Sequence, residues 1–202
     1  MSGPSKIYVW NLAFTHIGQK PVESDTEQSR QRLAMSRVYD EALRDTLKAA
    51  DWGFARVTVA LALVSDYTPL NFTYAYAYPS KSLAIRKVTY SGAGEDTPGE
   101  KYKIEYDPTN NQEVVITDLE SAYALYTYEI TDTTKFSPSF VAALSHNLAA
   151  KLAVPLNGDK KMAEAQVVLF NGKVSEAKRL SESEKKEDHP SNEQSDYVDA
   201  RG

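Results

Sequence analysis

The residues best suited to chemistry in this sequence are three histidines and a serine. His16 lies in an apolar segment, His146 directly follows Ser145, and His189 lies near the C-terminus. No pair of histidines has metal-ligand spacing, and adjacent residues of a helix point away from each other, so Ser145 and His146 do not form a nucleophile and its base. We therefore expect packing or surface roles for these residues, and neither a catalytic centre, a metal nor a cofactor.

Two further patterns could bind or cleave a ligand. Gly92-Ala93-Gly94 lacks the third glycine, the lysine and the following helix of a phosphate loop, and predicts a hairpin tip instead. Ten of the 13 tyrosines lie within residues 57–131, and tyrosines on a sheet can stack bases, but this segment has ten acids against five bases. We interpret the tyrosines as core or protein interface, and keep two alternatives: a single-stranded nucleic-acid-binding module, and a hydrolase of cell-wall carbohydrate using two carboxylates.

Composition narrows the class of protein. The 202 residues contain no cysteine, which excludes disulfides and thiolate zinc sites and, with no signal peptide evident, favours a reducing cytoplasm. Residues 181–202 hold seven acids and three bases, and thus −4 of the net charge of −5. Without a basic stripe the chain is poorly suited to gripping nucleic acid, and its longest uncharged apolar run, 57–64, has strand length, so we expect no membrane span.

Helical patterns occupy the first third of the chain. Trp10, Ala13, Phe14 and Ile17 form one apolar stripe that Gly18 ends as a left-handed cap. Ser24-Asp25-Thr26-Glu27 has the spacing of a capping box and predicts that a long helix begins there. Its buried stripe is predicted to contain Met35, Tyr39, Ala42, Thr46 and Ala49. Its opposite face, solvated or between subunits, is predicted to contain Arg37, Asp40, Glu41 and Arg44, which form two i,i+4 pairs.

The period changes to two in residues 57–131. Phe72, Tyr74, Tyr76 and Tyr78 are predicted to share one face of a strand, and further strands are predicted at 83–90, 101–106, 112–117 and 122–131. Residues 92–99 and 107–111 have turn chemistry. The pattern indicates an antiparallel meander or a small sandwich.

Helical periodicity returns after residue 136. Ser137-Pro138 predicts a helix start and Pro155 its end, with Phe140, Val141, Leu144, Leu148 and Leu152 buried. Asn157-Gly158-Asp159 turns the chain into a last helix, whose apolar positions are predicted at Ala163, Val167, Phe170, Val174 and Ala177. We expect an α+β fold: a helical bundle of residues 1–56 and 132–186, an inserted β domain of residues 57–131, and a disordered, extended tail of residues 187–202 anchored by Tyr197 and Val198.

The order of these motifs resembles that of a known family, the head-to-tail adaptors (tail tubular protein A) of short-tailed bacteriophages. The opening segment LAFTHIGQKPV, residues 12–22, is similar to that family's start. The resemblance continues through the following elements: the helix of 39–47, Trp52-Gly53-Phe54-Ala55, Tyr78-Pro79 with Leu83, and the helix of 144–156.

This resemblance implies a non-enzymatic, structural part of the virion at the head-tail junction, made in the host cytoplasm. It would form a homo-oligomeric ring, a dodecamer matching the portal, and link the portal protein to the tail nozzle protein. Packaged double-stranded DNA would pass through its lumen without specific binding, and no membrane would be involved.

Three groups of residues are assigned to contacts, the first two by carry-over from the family and the third from the charge pattern of the long helix. The portal contact is predicted at Val174, Ala177, Leu180, Tyr197, Val198 and Arg201. The nozzle contact is predicted at Gly94, Glu95, Asp96, Asp107, Asn110 and Asn111. The contact between subunits is predicted at Arg37, Asp40, Glu41 and Arg44.

Overall fold

The computed structural model describes residues 3–94 and 97–187, with side chains described to residue 180. Its helices are α1 (Lys6–His16), α2 (Arg30–Ala49), α3 (Pro138–Asn157) and α4 (Lys160–Glu187). Its strands are β1 (Arg56–Ala60), β2 (Tyr74–Ala77), β3 (Ser82–Thr89), β4 (Tyr102–Asp107), β5 (Gln112–Thr117) and β6 (Tyr123–Tyr128). Helices precede and follow a block of antiparallel strands, which confirms the predicted α+β fold class. The predicted tail beyond Glu187, with Tyr197, Val198 and Arg201, lies outside the described residues.

Helix α1 follows its predicted stripe closely. Ser5 caps its start by accepting a hydrogen bond from the backbone N–H of Tyr8 at 3.1 Å. Gly18 has a φ of +65°, the left-handed conformation that a glycine adopts without steric cost. The stripe itself is buried in the main core, as predicted.

The start of α2 corrects the capping-box prediction. The helix begins at Arg30, and its cap is Ser29, whose hydroxyl accepts from the N–H of Arg32 at 3.1 Å. The Glu27 carboxylate instead accepts from the N–H of Glu23 at 2.7 Å, so the Ser24–Glu27 spacing closes a turn ahead of the helix. Ser and Glu side chains at this spacing can bond to nearby backbone groups in a turn as well as in a first helical turn, and the sequence alone does not separate the two.

The start of α3 is as predicted, but its end is not. Ser137 accepts from the N–H of Phe140, with Pro138 as the first helical residue. Pro155 does not stop the helix, which runs on to Asn157 and ends at Gly158, whose φ is +69°. A proline this close to the end removes one backbone hydrogen bond from the last turns, which the packed helix tolerates.

Helix α3 is long and apolar enough to cross a membrane by length and composition alone. The search for an uncharged apolar run, which gave residues 57–64, did not find it. Because 61% of it is buried against the rest of the protein, it is the central helix of the core, with α1, α2 and α4 packed around it. The predicted stripe of α3 faces this core.

The strands form two antiparallel three-stranded sheets. Sheet A has the order β1-β6-β3, and sheet B has the order β2-β5-β4. Val88 of sheet A and Val115 of sheet B meet in a small core between the sheets, to which Tyr76 contributes a nearly inaccessible ring. Tyr74, Tyr78 and Tyr102 pack against the same core, so these tyrosines fill a sandwich.

Phe72 departs from its predicted face. It lies outside β2 and packs with Val64 and Tyr67 on the other side of sheet B, over Ala75 and Ile116. Residues 62–64 pair with the edge of β2, and residues 64–72 cover the outer face of sheet B. The alternating pattern predicted that the strand begins two residues too early, at Phe72. The chain bends near Pro69 and Asn71 before β2 begins.

The sandwich is fixed to the helices through the C-terminal end of α2. Arg86 of β3 donates to the carbonyl oxygens of Leu47 (3.2 Å), Lys48 (2.9 Å) and Ala50 (2.8 Å), and its Nε donates to Oγ1 of Thr127 on β6 (2.8 Å). These carbonyls have no partner within the helix, and a cation at this end also meets the negative end of the helix dipole. Burial lowers the pKa of Arg86, against the effect of the nearby carboxylate of Asp51.

Candidate interaction surfaces

The two helical histidines meet at the junction of α1, α3 and α4. Their rings stack with centroids 4.1 Å apart and planes 15° apart. Nε2 of His16 lies 3.0 Å from Oγ of Ser145, whose hydroxyl donates to the carbonyl of Ala142, so the ring nitrogen is the donor. Nδ1 of His146 lies 2.7 Å from Oε1 of Gln166, and the amide of Gln166 donates to the carbonyl of His16.

This histidine cluster (His16, Ser145, His146 and Gln166) joins three helices by hydrogen bonds. Ser145 is buried and its hydroxyl donates a hydrogen bond to a backbone carbonyl and not to a base, so it is not an activated nucleophile. Sequence reasoning missed the pairing because Ser145 contacts the histidine 129 residues away and not its neighbour. Within residues 3–94 and 97–187, no group of three or more His, Asp or Glu side chains is arranged to hold a metal ion.

The cluster predicts a pH dependence of stability. Burial, and then the neighbouring His146, lower the pKa of His16 below its ordinary value of 6.5. Below pH 6.5, His16 therefore takes up a proton more readily in the unfolded chain than in the folded chain. Its contribution to the free energy of unfolding is fully present above pH 6.5 and is lost as the pH falls through the lowered pKa. Thermal unfolding between pH 8 and pH 5 should show this fall in the wild type and a shallower one in His16→Gln. Equal slopes in the two proteins would contradict it.

The four residues predicted to contact a neighbouring subunit lie on the exposed face of α2, but two of them form ion pairs within the chain. Arg44 pairs with Glu129, just after β6, at 2.6 Å. Glu41 pairs with Lys151 of α3 at 2.7 Å. These intrachain pairs take the place of the expected i,i+4 partners. Arg37 and Asp40 are exposed, and their contact with another subunit stays a prediction.

The three predicted portal residues of α4 differ in how far their side chains are buried. Val174 lies in the main core and Ala177 packs against it, so both side chains are used within the chain and do not form a contact surface. Leu180 is about half exposed. The heptad-like spacing also misplaced Val167, which is exposed, while Gln166 takes the inward position and binds His146. A polar side chain occupies the stripe because it completes the histidine cluster.

The outward side of α4 presents an apolar ridge that sequence reasoning missed. We define the α4 ridge as Ala165, Val168, Leu169 and Gly172; all four are exposed, and Val168 is 70% accessible. A glycine inside a helix costs about 1 kcal/mol relative to alanine. A Cβ on Gly172 would have open space around it in the described chain, so packing within the chain does not require this glycine. The signal in the sequence was the run Val167-Val168-Leu169. Three consecutive apolar residues of a helix cannot all face the same core, so part of this run must be exposed.

The predicted nozzle residues do not form one tip. Gly94 precedes β4 and lies near Lys87 of β3, whose Nζ is 3.3 Å from the Gly94 carbonyl, whereas Asn110 and Asn111 follow β4. The two turns therefore lie at opposite ends of β4, about 20 Å apart along the strand. Glu95 and Asp96 lie outside the described residues.

Asp107 is buried and not a surface contact. Its Oδ1 accepts from the backbone N–H groups of Thr109 (2.9 Å) and Asn110 (3.3 Å), and its Oδ2 from the Asn110 side chain (2.8 Å). Burial opposes ionisation, but these hydrogen bonds outweigh it and lower the pKa of Asp107. The residue shapes the turn between β4 and β5.

The sandwich exposes apolar side chains of its own. Ile104 and Tyr106 of β4 continue the face of Tyr102 beyond the inner core and are about half exposed. Leu70, in the loop that covers sheet B, is 92% accessible. Ile104 and Tyr106 share one face of β4 and are available for contact with another protein.

A groove crosses sheet A. It has a volume of about 320 Å³ and is lined by Arg56, Thr58, Lys87, Thr89 and Gly94, among others. Arg56 forms an ion pair with Asp51 at 2.9 Å, so its charge is already matched within the chain.

Comparison with known proteins adds no assignment. Neither the family models nor the curated proteins searched give a match to this chain.

Proposed function

We propose that this chain is a non-enzymatic structural connector of a bacteriophage virion, which forms a ring between the portal and the tail nozzle. The observation that carries the proposal is the α4 ridge: an apolar, glycine-containing helix face that the chain leaves exposed. Such a face suits close approach by a neighbouring subunit. The order of motifs, which resembles that of the adaptor family, supports the choice of this assembly.

A ring needs two different contact surfaces on each subunit, because a head-to-tail interface repeats by rotation. The α4 ridge offers one surface, and the exposed charged face of α2 offers another. These two helices pack on α3 and not extensively on each other, so their outward faces are separate. The exposed apolar groups of the sandwich, Leu70, Ile104 and Tyr106, are available for the next component along the tail.

The charge distribution supports passage of DNA and not capture. The net charge is −5, and residues 57–131 carry ten acids against five bases. A lumen with this balance does not attract phosphates, so packaged DNA slides past without specific binding.

The proposal predicts that Val168→Asp prevents ring formation. Burying a valine contributes about 1.5 to 3 kcal/mol, and a buried unpaired carboxylate adds a further cost, so each interface should weaken by at least about 30-fold. Native mass spectrometry of the protein mixed with a portal measures the subunit number. Val154→Asp, at a half-exposed valine of α3, is the matched control. Unchanged assembly by Val168→Asp would remove the α4 ridge from the interface.

A further inference from the structure

An apolar groove lies between the first turns of α1 and α3. Tyr8 and Leu12 of α1 form one wall and Pro138 and Ala142 of α3 form the other, with a volume of about 320 Å³. Tyr8 is 53% accessible although it belongs to a helix whose other face is buried. The volume is at the lower end of the range for ligand pockets, and fits one or two side chains of a peptide.

The groove lies in a positive electrostatic potential. The two helices run in the same direction, since Tyr8 lies beside Pro138 and His16 beside Ser145, so both N-termini lie at this end. Neither helix has an acid in its first turn to offset its dipole. Lys135 is exposed next to Phe136, which lines the groove, while the nearby Asp132 is occupied in capping the turn of Thr133–Lys135. An acidic segment with an apolar centre fits these features.

The chain itself contains such a segment within reach. Helix α4 runs antiparallel to α3 and, with 28 residues against 20, extends about 12 Å beyond the start of α3, at the groove end of the bundle. Residues 188–202 follow it and can span up to about 50 Å. Within them Tyr197 and Val198 are flanked by Asp196 and Asp199.

We propose that Tyr197 and Val198 occupy the groove between α1 and α3 of their own chain, with the flanking carboxylates of Asp196 and Asp199 at its positive rim beside Lys135. The apolar pair covers Tyr8 and Leu12, and the acids offset the two helix N-termini. The contact holds the C-terminal segment on the bundle in the free protein. It does not depend on the connector proposal, because it is a property of the isolated chain.

Disulfide trapping tests this contact directly, since the chain has no native cysteine. In Ala142→Cys with Val198→Cys, we expect an intramolecular disulfide that forms at least about tenfold faster than in the control pair, Ser36→Cys with Val198→Cys. Ser36 is exposed on α2, away from the groove. A rate equal to that of the control, or disulfides only between two chains, would overturn the proposal.

Amide NMR spectra provide a second measurement that needs no new cysteine. Removing residues 192–202 should shift the signals of residues 5–12 and 136–142 and leave those of α2 unchanged. Tyr197→Ala with Val198→Ala should reproduce these shifts, whereas Asn192→Ala should not. Spectra that stay unchanged at the groove after truncation would contradict the contact.

Discussion

Arg86→Ala is expected to lower the free energy of unfolding by about 2 to 4 kcal/mol, because it leaves three carbonyls at the end of α2 and the Thr127 hydroxyl without their donor. Arg86→Lys should recover only part of the loss, since one ammonium cannot reach both Thr127 and the helix end. Denaturant unfolding measures both changes.

The control for Arg86 is Arg37→Ala, which removes an exposed arginine from α2 itself. It should change the free energy of unfolding by less than about 0.5 kcal/mol. Hydrogen exchange gives a local readout: Arg86→Ala should speed exchange at the end of α2 and in β3 before the centre of α3. Wild-type stability in Arg86→Ala would show that the sandwich is fixed to the helices by other contacts.

Phe140→Ala is expected to cost about 3 to 5 kcal/mol, the range for removing a fully buried aromatic ring. Phe140 packs edge-on against Trp52 (centroids 5.0 Å apart), Phe54 (4.9 Å) and Phe136 (4.7 Å). These three rings come from the segments where the chain enters the sandwich and where it leaves it. The substitution therefore removes packing contacts from both segments that connect the helices with the sandwich.

Calorimetry of Phe140→Ala tests this joint role, with Tyr90→Ala, at a half-exposed tyrosine of the sandwich, as the control. We expect a large fall in melting temperature for Phe140→Ala and a small change for Tyr90→Ala. A loss below about 1 kcal/mol for Phe140→Ala would contradict the account of this aromatic cluster.

The fold class was predictable because its signals are local. The helix cap at Ser137, the left-handed Gly18, and the strand at residues 112–117 follow from short-range patterns that the structure reproduces. Predictions failed where a pattern has two structural solutions. The Ser24–Glu27 motif closes a turn as well as it caps a helix, and Pro155 fits in the last turns of a helix as well as after it.

The contact surfaces were less predictable because they depend on which side chains the chain uses for itself. Glu41 and Arg44 look like neighbours on one helix, yet their partners are Lys151 and Glu129, far away in sequence. Val174 lies near the end of the apolar pattern of α4 and was predicted to contact the portal, yet its side chain is buried in the core. No local pattern reveals the histidine cluster or the carbonyls that Arg86 binds, since both arise only when distant segments meet.

Negative-stain electron microscopy of the protein, alone and mixed with the portal of a short-tailed phage, tests the connector proposal most directly. We expect rings stacked on one face of the portal, with a subunit number that matches it, and loss of these rings in Val168→Asp. A protein that remains a single chain of 22.5 kDa and leaves the portal bare would contradict the proposed function.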